Sequence, residues 1–92
     1  MAAYKEQKSD LTIRLKRAEG QIRGIRKMID EDKYCIDVLN QISAVKGALK
    51  KVELKILEEH TKGCLKNALV SGSDEYTKEM IQELLKTIEK MM

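Results

Sequence analysis

Proline, phenylalanine and tryptophan are absent from the 92 residues; tyrosine occurs three times, cysteine twice and histidine once. An all-β fold draws on aromatic and β-branched strands with frequent turn punctuation, so this chain lacks the material for one. No apolar run approaches the ~18–20 residues of a membrane span. The N-terminal MAAYKEQKSD has no apolar core of the kind a secretory leader carries. Two cysteines without such a leader point to a reducing compartment, where thiols serve as ligands or reactive groups more often than as staples. The expected location is the cytoplasm. Hydrophobic residues make up 42% and charged residues 36% of the chain, the profile of a soluble globular or helical-bundle protein. The length suits one domain over 1–92, with 1–9 expected as a flexible arm. A chain this short buries only roughly 60% of its unfolded surface, so a core made by one copy is marginal.

The formal net charge of +3 is unevenly spread. Residues 1–29 carry eight Lys and Arg against three acidic residues, a net of +5, whereas residues 30–92 carry ten basic and twelve acidic residues, a net of −2. A basic N-terminal third is a footprint for a polyanion, most commonly nucleic acid, although a solvated helix face has the same composition. Arrangement favours nucleic acid. Lys16, Arg23 and Lys27 share one helical stripe, with Gly20 in the remaining place, turned away from the apolar seam.

That seam runs through Leu11, Leu15, Ala18, Ile22, Ile25 and Ile29 at alternating steps of four and three, a heptad pattern that strands cannot produce. Ser9 or Asp10 is the expected cap at its start, and Asp30-Glu31-Asp32 ends it. A second seam passes through Cys35, Val38, Ile42, Val45, Leu49, Val52 and Ile56, in a helix expected to reach about Ala68, with a bend or loosening possible at Gly63. Val70 to Ser73 reads as a turn. A third helix then starts at Ser73 or Asp74 and places Ile81, Leu84, Ile88 and Met91 on one face. The expected fold is all-α: three helices, the central one too long to bury its seam within one chain. An obligate oligomer follows.

Cys35, His60 and Cys64 are the only Cys and His residues. His60 and Cys64 stand at i and i+4, one above the other on a helix face, where two side chains can share a metal. On one straight helix Cys35 lies ~37 Å from His60, so a site joining all three must form between chains. An antiparallel partner bringing Cys35 to the His60–Cys64 pair places a two-fold axis near residues 48–49. In that register Val45 faces Val52, Ile42 faces Ile56 and Leu49 faces itself, with Ala44, Gly47 and Ala48 beside the axis. Two thiolates and an imidazole are a soft, three-donor set that suits Cu(I); zinc fits if water or a carboxylate completes four ligands. Taken singly, a helical cysteine is ordinarily a small buried apolar side chain and a histidine near a helix end a surface group. Nothing suggests an enzyme: the one histidine lies four residues from a thiol, without oxyanion donors.

The run LKRAEGQIRGIRKMIDEDKYCIDVLNQISAVKGALKKVELKILEEHTKGCLKNAL resembles the CsoR/RcnR family of bacterial metal- and stress-sensing repressors. The likeness extends over nearly the whole chain, from Leu11 to the last helix. Three elements carry it: the RxxGQxxGIxxMI stretch at residues 17–29, the YCxxVLxQIxA element at residues 34–44, and the HxxxC pair. Within such a family the Cys-His-Cys set matches the copper(I) sensors. Nickel and cobalt sensors use an N-terminal His and a His-rich set, persulfide sensors lack the histidine, and formaldehyde sensors lack the second thiolate.

The resemblance implies an antiparallel dimer of three-helix protomers with a four-helix-bundle core, pairing into a disc-like tetramer. It implies metal ligation by Cys35 of one protomer and His60 and Cys64 of its neighbour. Tyr34 matches a tyrosine that supports the ligands from outside, and Glu83, with Glu79 one turn earlier as the alternative, matches a glutamate that does the same. Operator double-stranded DNA would be bound by basic residues of the first two helices without a helix-turn-helix. Arg14 and Lys51 match positions implicated there, and Lys16, Arg17, Arg23 and Lys27 add to the same electrostatic surface. The implied function is a repressor that holds its operator as apo-protein and releases it on binding Cu(I), freeing copper efflux and resistance genes. Two other readings share the residues: a persulfide or redox sensor using the Cys35–Cys64 pair, and a copper-binding protein that ignores DNA.

Overall fold

A computed structural model describes residues 2–92 of the chain. Three α-helices follow a short 3-10 turn at Lys5–Gln7: α1 over Lys8–Asp30, α2 over Cys35–Ser71 and α3 over Asp74–Met91. The central helix continues without a break through Gly63 and ends three residues beyond Ala68. Its 37 residues set the longest dimension of the molecule, 58 Å. No helix among the described residues is long and apolar enough to cross a membrane.

Each helix junction closes by a local device. At the end of α1 the backbone N–H of Lys33 donates to the Met28 carbonyl and that of Asp32 to the Ile29 carbonyl. This is a Schellman closure, with Asp32 at φ 55° in the left-handed place that glycine usually fills. At the end of α2 Gly72 takes that role at φ 62°, its N–H donating to the Ala68 carbonyl. Ser73 then caps α3 by accepting from the Tyr76 N–H at 3.3 Å, and Asp74 and Glu75 complement the helix dipole in the first turn. The start of α1 differs from expectation. Neither Ser9 nor Asp10 caps it: the helix begins at Lys8 behind Gln7, which makes no side-chain cap bond. The Asp10 carboxylate is taken instead by Arg14 Nε at 3.0 Å and Lys55 Nζ at 3.5 Å.

Antiparallel packing of α1 on α2 makes the main interface of the chain, and α3 folds back on the C-terminal half of α2. The buried core is small: Leu11 and Ala18 of α1, and Val45, Val52 and Cys64 of α2. The Asp10–Lys55 contact fixes the register, placing Leu11 near Val52 and Ala18 near Val45. Val45 and Val52, expected to meet across a dyad, are thus already covered within the chain. The α2 seam splits in two. Val45 and Val52 face α1, while Cys35, Ile42 and Leu49, a heptad apart, form an exposed edge that leads towards Ile56 and His60. Leu15, Ile22 and Ile29 of α1 are also left exposed. The hairpin thus buries little and leaves a continuous apolar seam uncovered, more than a small monomer ordinarily exposes.

Candidate metal centre

The C-terminal half of α2 carries two of the three expected metal donors. One helical turn separates His60 from Cys64, and His60 Nε2 lies 3.3 Å from Cys64 Sγ. Cys64 is buried and His60 half-buried. Met80 Sδ of α3 lies 3.8 Å from Cys64 Sγ. Sequence reading assigned Met80 no role, because it falls one residue before the Ile81–Leu84–Ile88–Met91 seam. The structure shows Ile81 half-exposed and Met80 turned to the thiol.

Cys35 is exposed at the opposite end of the same helix, about 37 Å from His60 by the rise of an unbroken α-helix. Among the described residues, no three His, Cys, Asp or Glu of one chain gather into a metal-binding group. The chain alone therefore does not unite the three expected donors, and Tyr34, the exposed residue before α2, stays with Cys35 at the far end. Imidazole nitrogen and thiol sulfur at one end, with a second thiol at the other, remain a soft donor set fit for Cu(I).

The two glutamate candidates border different hollows. A cleft of about 340 Å³ is lined by His60, Glu83, Leu84, Thr87 and Met91, together with Ala3 and Tyr4. Glu79 does not line it; with Asp74, Glu75, Lys78 and Gln82 it borders a polar hollow elsewhere on α3. Ala3 and Tyr4 come from the stretch expected as an arm, whose residues 5–9 are helical. Nothing in the sequence pattern pointed to Tyr4, because its place on the cleft that His60 also lines is a matter of tertiary arrangement.

The basic residues divide between two faces. Lys16, Arg23 and Lys27 lie exposed on the outer side of α1, Lys27 with a loose surface contact to Glu31 at 3.9 Å. Asp10 bridges Arg14 of α1 to Lys55 of α2; helical spacing puts Arg17 one turn from Arg14 and Lys51 one turn from Lys55 on the same flank. Arg14 is half-buried there, its Nε donating to Asp10; Arg17 and Lys51 are exposed. The Arg14 hydrogen bond holds the Asp10 carboxyl below the usual carboxylate range, against the opposing effect of desolvation and with the charges of Arg14 and Lys55 assisting. Two of these cations, Arg14 and Lys55, are paired with Asp10.

A helical hairpin with a soft thiol–imidazole pair and a basic flank matches a known class of regulator. Residues 7–90 fit the profile described as metal-sensitive transcriptional repressor, and the chain belongs to that family, one of DNA regulators rather than enzymes. Over 85 residues it is 47% identical to the copper-sensing transcriptional repressor CsoR of Bacillus subtilis, covering 92% of this chain and 81% of that protein. Over 69 residues it is 55% identical to the copper-sensing transcriptional repressor RicR of Mycobacterium tuberculosis, covering 75% and 72%. Among solved structures, the copper-sensing repressor CsoR with Cu(I) from Geobacillus thermodenitrificans superposes with a TM-score of 0.81 at 40% identity, over 94% of this chain and 86% of that one. The nickel-responsive regulator InrS superposes almost as well, with a TM-score of 0.79 at 34% identity over 91% of each chain. The shared fold therefore does not select the metal; donor atoms must.

Proposed function

We infer that the chain is a copper(I)-responsive transcriptional repressor, acting in the cytoplasm as a homodimer that pairs further into a homotetramer. The observation that carries this reading is the His60–Cys64 pair at 3.3 Å on a helix whose other end presents the third soft donor, Cys35. An antiparallel second copy docked on the Cys35–Ile42–Leu49 edge buries that edge in a four-helix bundle and carries its own Cys35 to His60 and Cys64. Cu(I), when bound, supplies the soft bonds that hold these three side chains together. Glu83 accepts a hydrogen bond from the other ring nitrogen of His60, fixing the ring and linking it to α3, while Tyr34 arrives beside it with the second copy's Cys35.

Arg14, Arg17 and Lys51 on one flank and Lys16, Arg23 and Lys27 around the corner bind operator phosphates in the apo state, so affinity falls steeply with salt. For the operator to be released, the conformation closed around Cys35, His60 and Cys64 must bind DNA less well than the open one; a coupling of ~1–3 kcal/mol is typical. Genes for copper efflux and resistance are the expected targets. The test is binding to the DNA upstream of the protein's own gene, under anaerobic conditions, with and without Cu(I). Tight binding by apo-protein and release on adding one Cu(I) per chain are expected. Equal affinity in both states would overturn the reading.

A further inference from the structure

We propose that Met80 is a copper(I) donor, so that His60, Cys64 and Met80 form a capture site within one chain before Cys35 of a second copy arrives. The proposal rests on the copper(I) reading above and adds to it a ligand from α3. Cys64 Sγ lies 3.3 Å from His60 Nε2 and 3.8 Å from Met80 Sδ. Two sulfurs at about 2.3 Å from one trigonal ion are about 4.0 Å apart, and such a sulfur and a nitrogen at about 2.0 Å are about 3.7 Å apart. The two gaps that share Cys64 Sγ are within ~0.4 Å of those values, and closing the site requires rotation of the His60 and Met80 side chains towards each other about that sulfur.

The chemistry of the three atoms agrees with the spacing. Thioether and thiolate sulfur both select Cu(I), and a neutral thioether is a poor ligand for harder divalent ions. A mainly apolar pocket of about 150 Å³ beside the thiol, lined by Met80, Leu65, Ala68, Ile81 and Leu84 with Thr61 and Thr77, surrounds the two sulfurs.

The capture site also suits a later exchange. When the second copy docks, its Cys35 loses its thiol proton to solvent and forms a bond from Sγ, and the weaker Met80 Sδ bond breaks; no electron is transferred. Release of Met80 frees α3 from the site, which gives the metal a mechanical connection to that helix.

Cu(I) itself is the probe, delivered anaerobically to full-length Cys35→Ser protein in competition with the chromophoric chelator bicinchoninate and followed by copper K-edge X-ray absorption. Cys35→Ser is expected to bind one Cu(I) per chain through two sulfurs and one nitrogen. Adding Met80→Leu, which conserves side-chain volume, should leave a two-coordinate shell with one sulfur and weaken competition at least tenfold. Identical shells and affinities for the two proteins would overturn the proposal. Copper retained undiminished by a His60→Ala/Cys64→Ser protein would overturn the copper(I) reading as well, which separates the two failures.

Discussion

Truncating Leu49 to alanine should weaken the dimer while leaving the chain folded. Leu49 is 41% exposed in the single chain and lies on the α2 edge, where a dyad near residues 48–49 would make it face its own copy. Full burial of a leucine side chain stabilises by about 1.5–3 kcal/mol, so covering the exposed part accounts for about 0.6–1.2 kcal/mol. Because the residue occurs twice at a two-fold interface, Leu49→Ala should cost about 1.2–2.5 kcal/mol per dimer, a roughly 7- to 60-fold rise in the dissociation constant. Sedimentation velocity over a dilution series reads this directly. Ile13, 49% exposed on the outer side of α1, is the matched control: Ile13→Ala should leave the dimer unchanged. Equal self-association of wild type and Leu49→Ala would refute the placement of the dyad, and with it the route by which Cys35 reaches the other donors.

Replacing His60 by alanine should leave copper bound through sulfur yet abolish most of its effect on DNA, since the link through the imidazole to Glu83 is lost; titrating an operator with the loaded variant checks this. Lys51→Gln should weaken operator binding and flatten the dependence of log K on log salt by about 0.9 for each phosphate that is no longer neutralised, measurable by fluorescence anisotropy at several salt concentrations. Asp10 carries a pKa lowered from 3.8 by Arg14, so its contribution to stability is present above that value and lost as the pH falls through the lowered one. Chemical denaturation below pH 4 should therefore show a shallower acid loss in Asp10→Asn than in wild type. Gly72→Ala places a Cβ at φ 62°, a cost of about 1–2 kcal/mol, and should lower Tm by about 4–8 °C per kcal/mol in a scan at fixed protein concentration.

The helices were legible because heptad spacing is a local property: Leu11 and Ala18, and Val45 and Val52, were placed on seams and are buried. What spacing could not show was which edge of a seam the chain covers for itself. The Asp10–Lys55 bridge sets that register, and it left Val45 and Val52 against α1 while Ile42 and Leu49 stayed open. The helix start at Lys8 was missed for a related reason, since Asp10 looked like a cap until its tertiary partners were known. Gly72 and Ser73 were readable, being residues whose own backbone and side-chain chemistry make the turn. Of the site, His60 and Cys64 followed from the four-residue helical step. Glu83 came from the family resemblance, whereas Tyr4 and Met80 required tertiary packing, an arrangement of segments distant in sequence that no periodicity encodes.

Cys35 and Cys64 lie about 43 Å apart along one helix, whereas a disulfide needs Cα atoms within roughly 7 Å, so these two thiols can bond only between molecules. Mild oxidation of dilute apo-protein with diamide, followed by peptide mass spectrometry, asks whether they meet. The expected product is a covalent dimer in which Cys35 of each chain is joined to Cys64 of the other. Chains that remain monomeric with both thiols free, or that link only Cys35 to Cys35, would show that no shared copper site forms between copies.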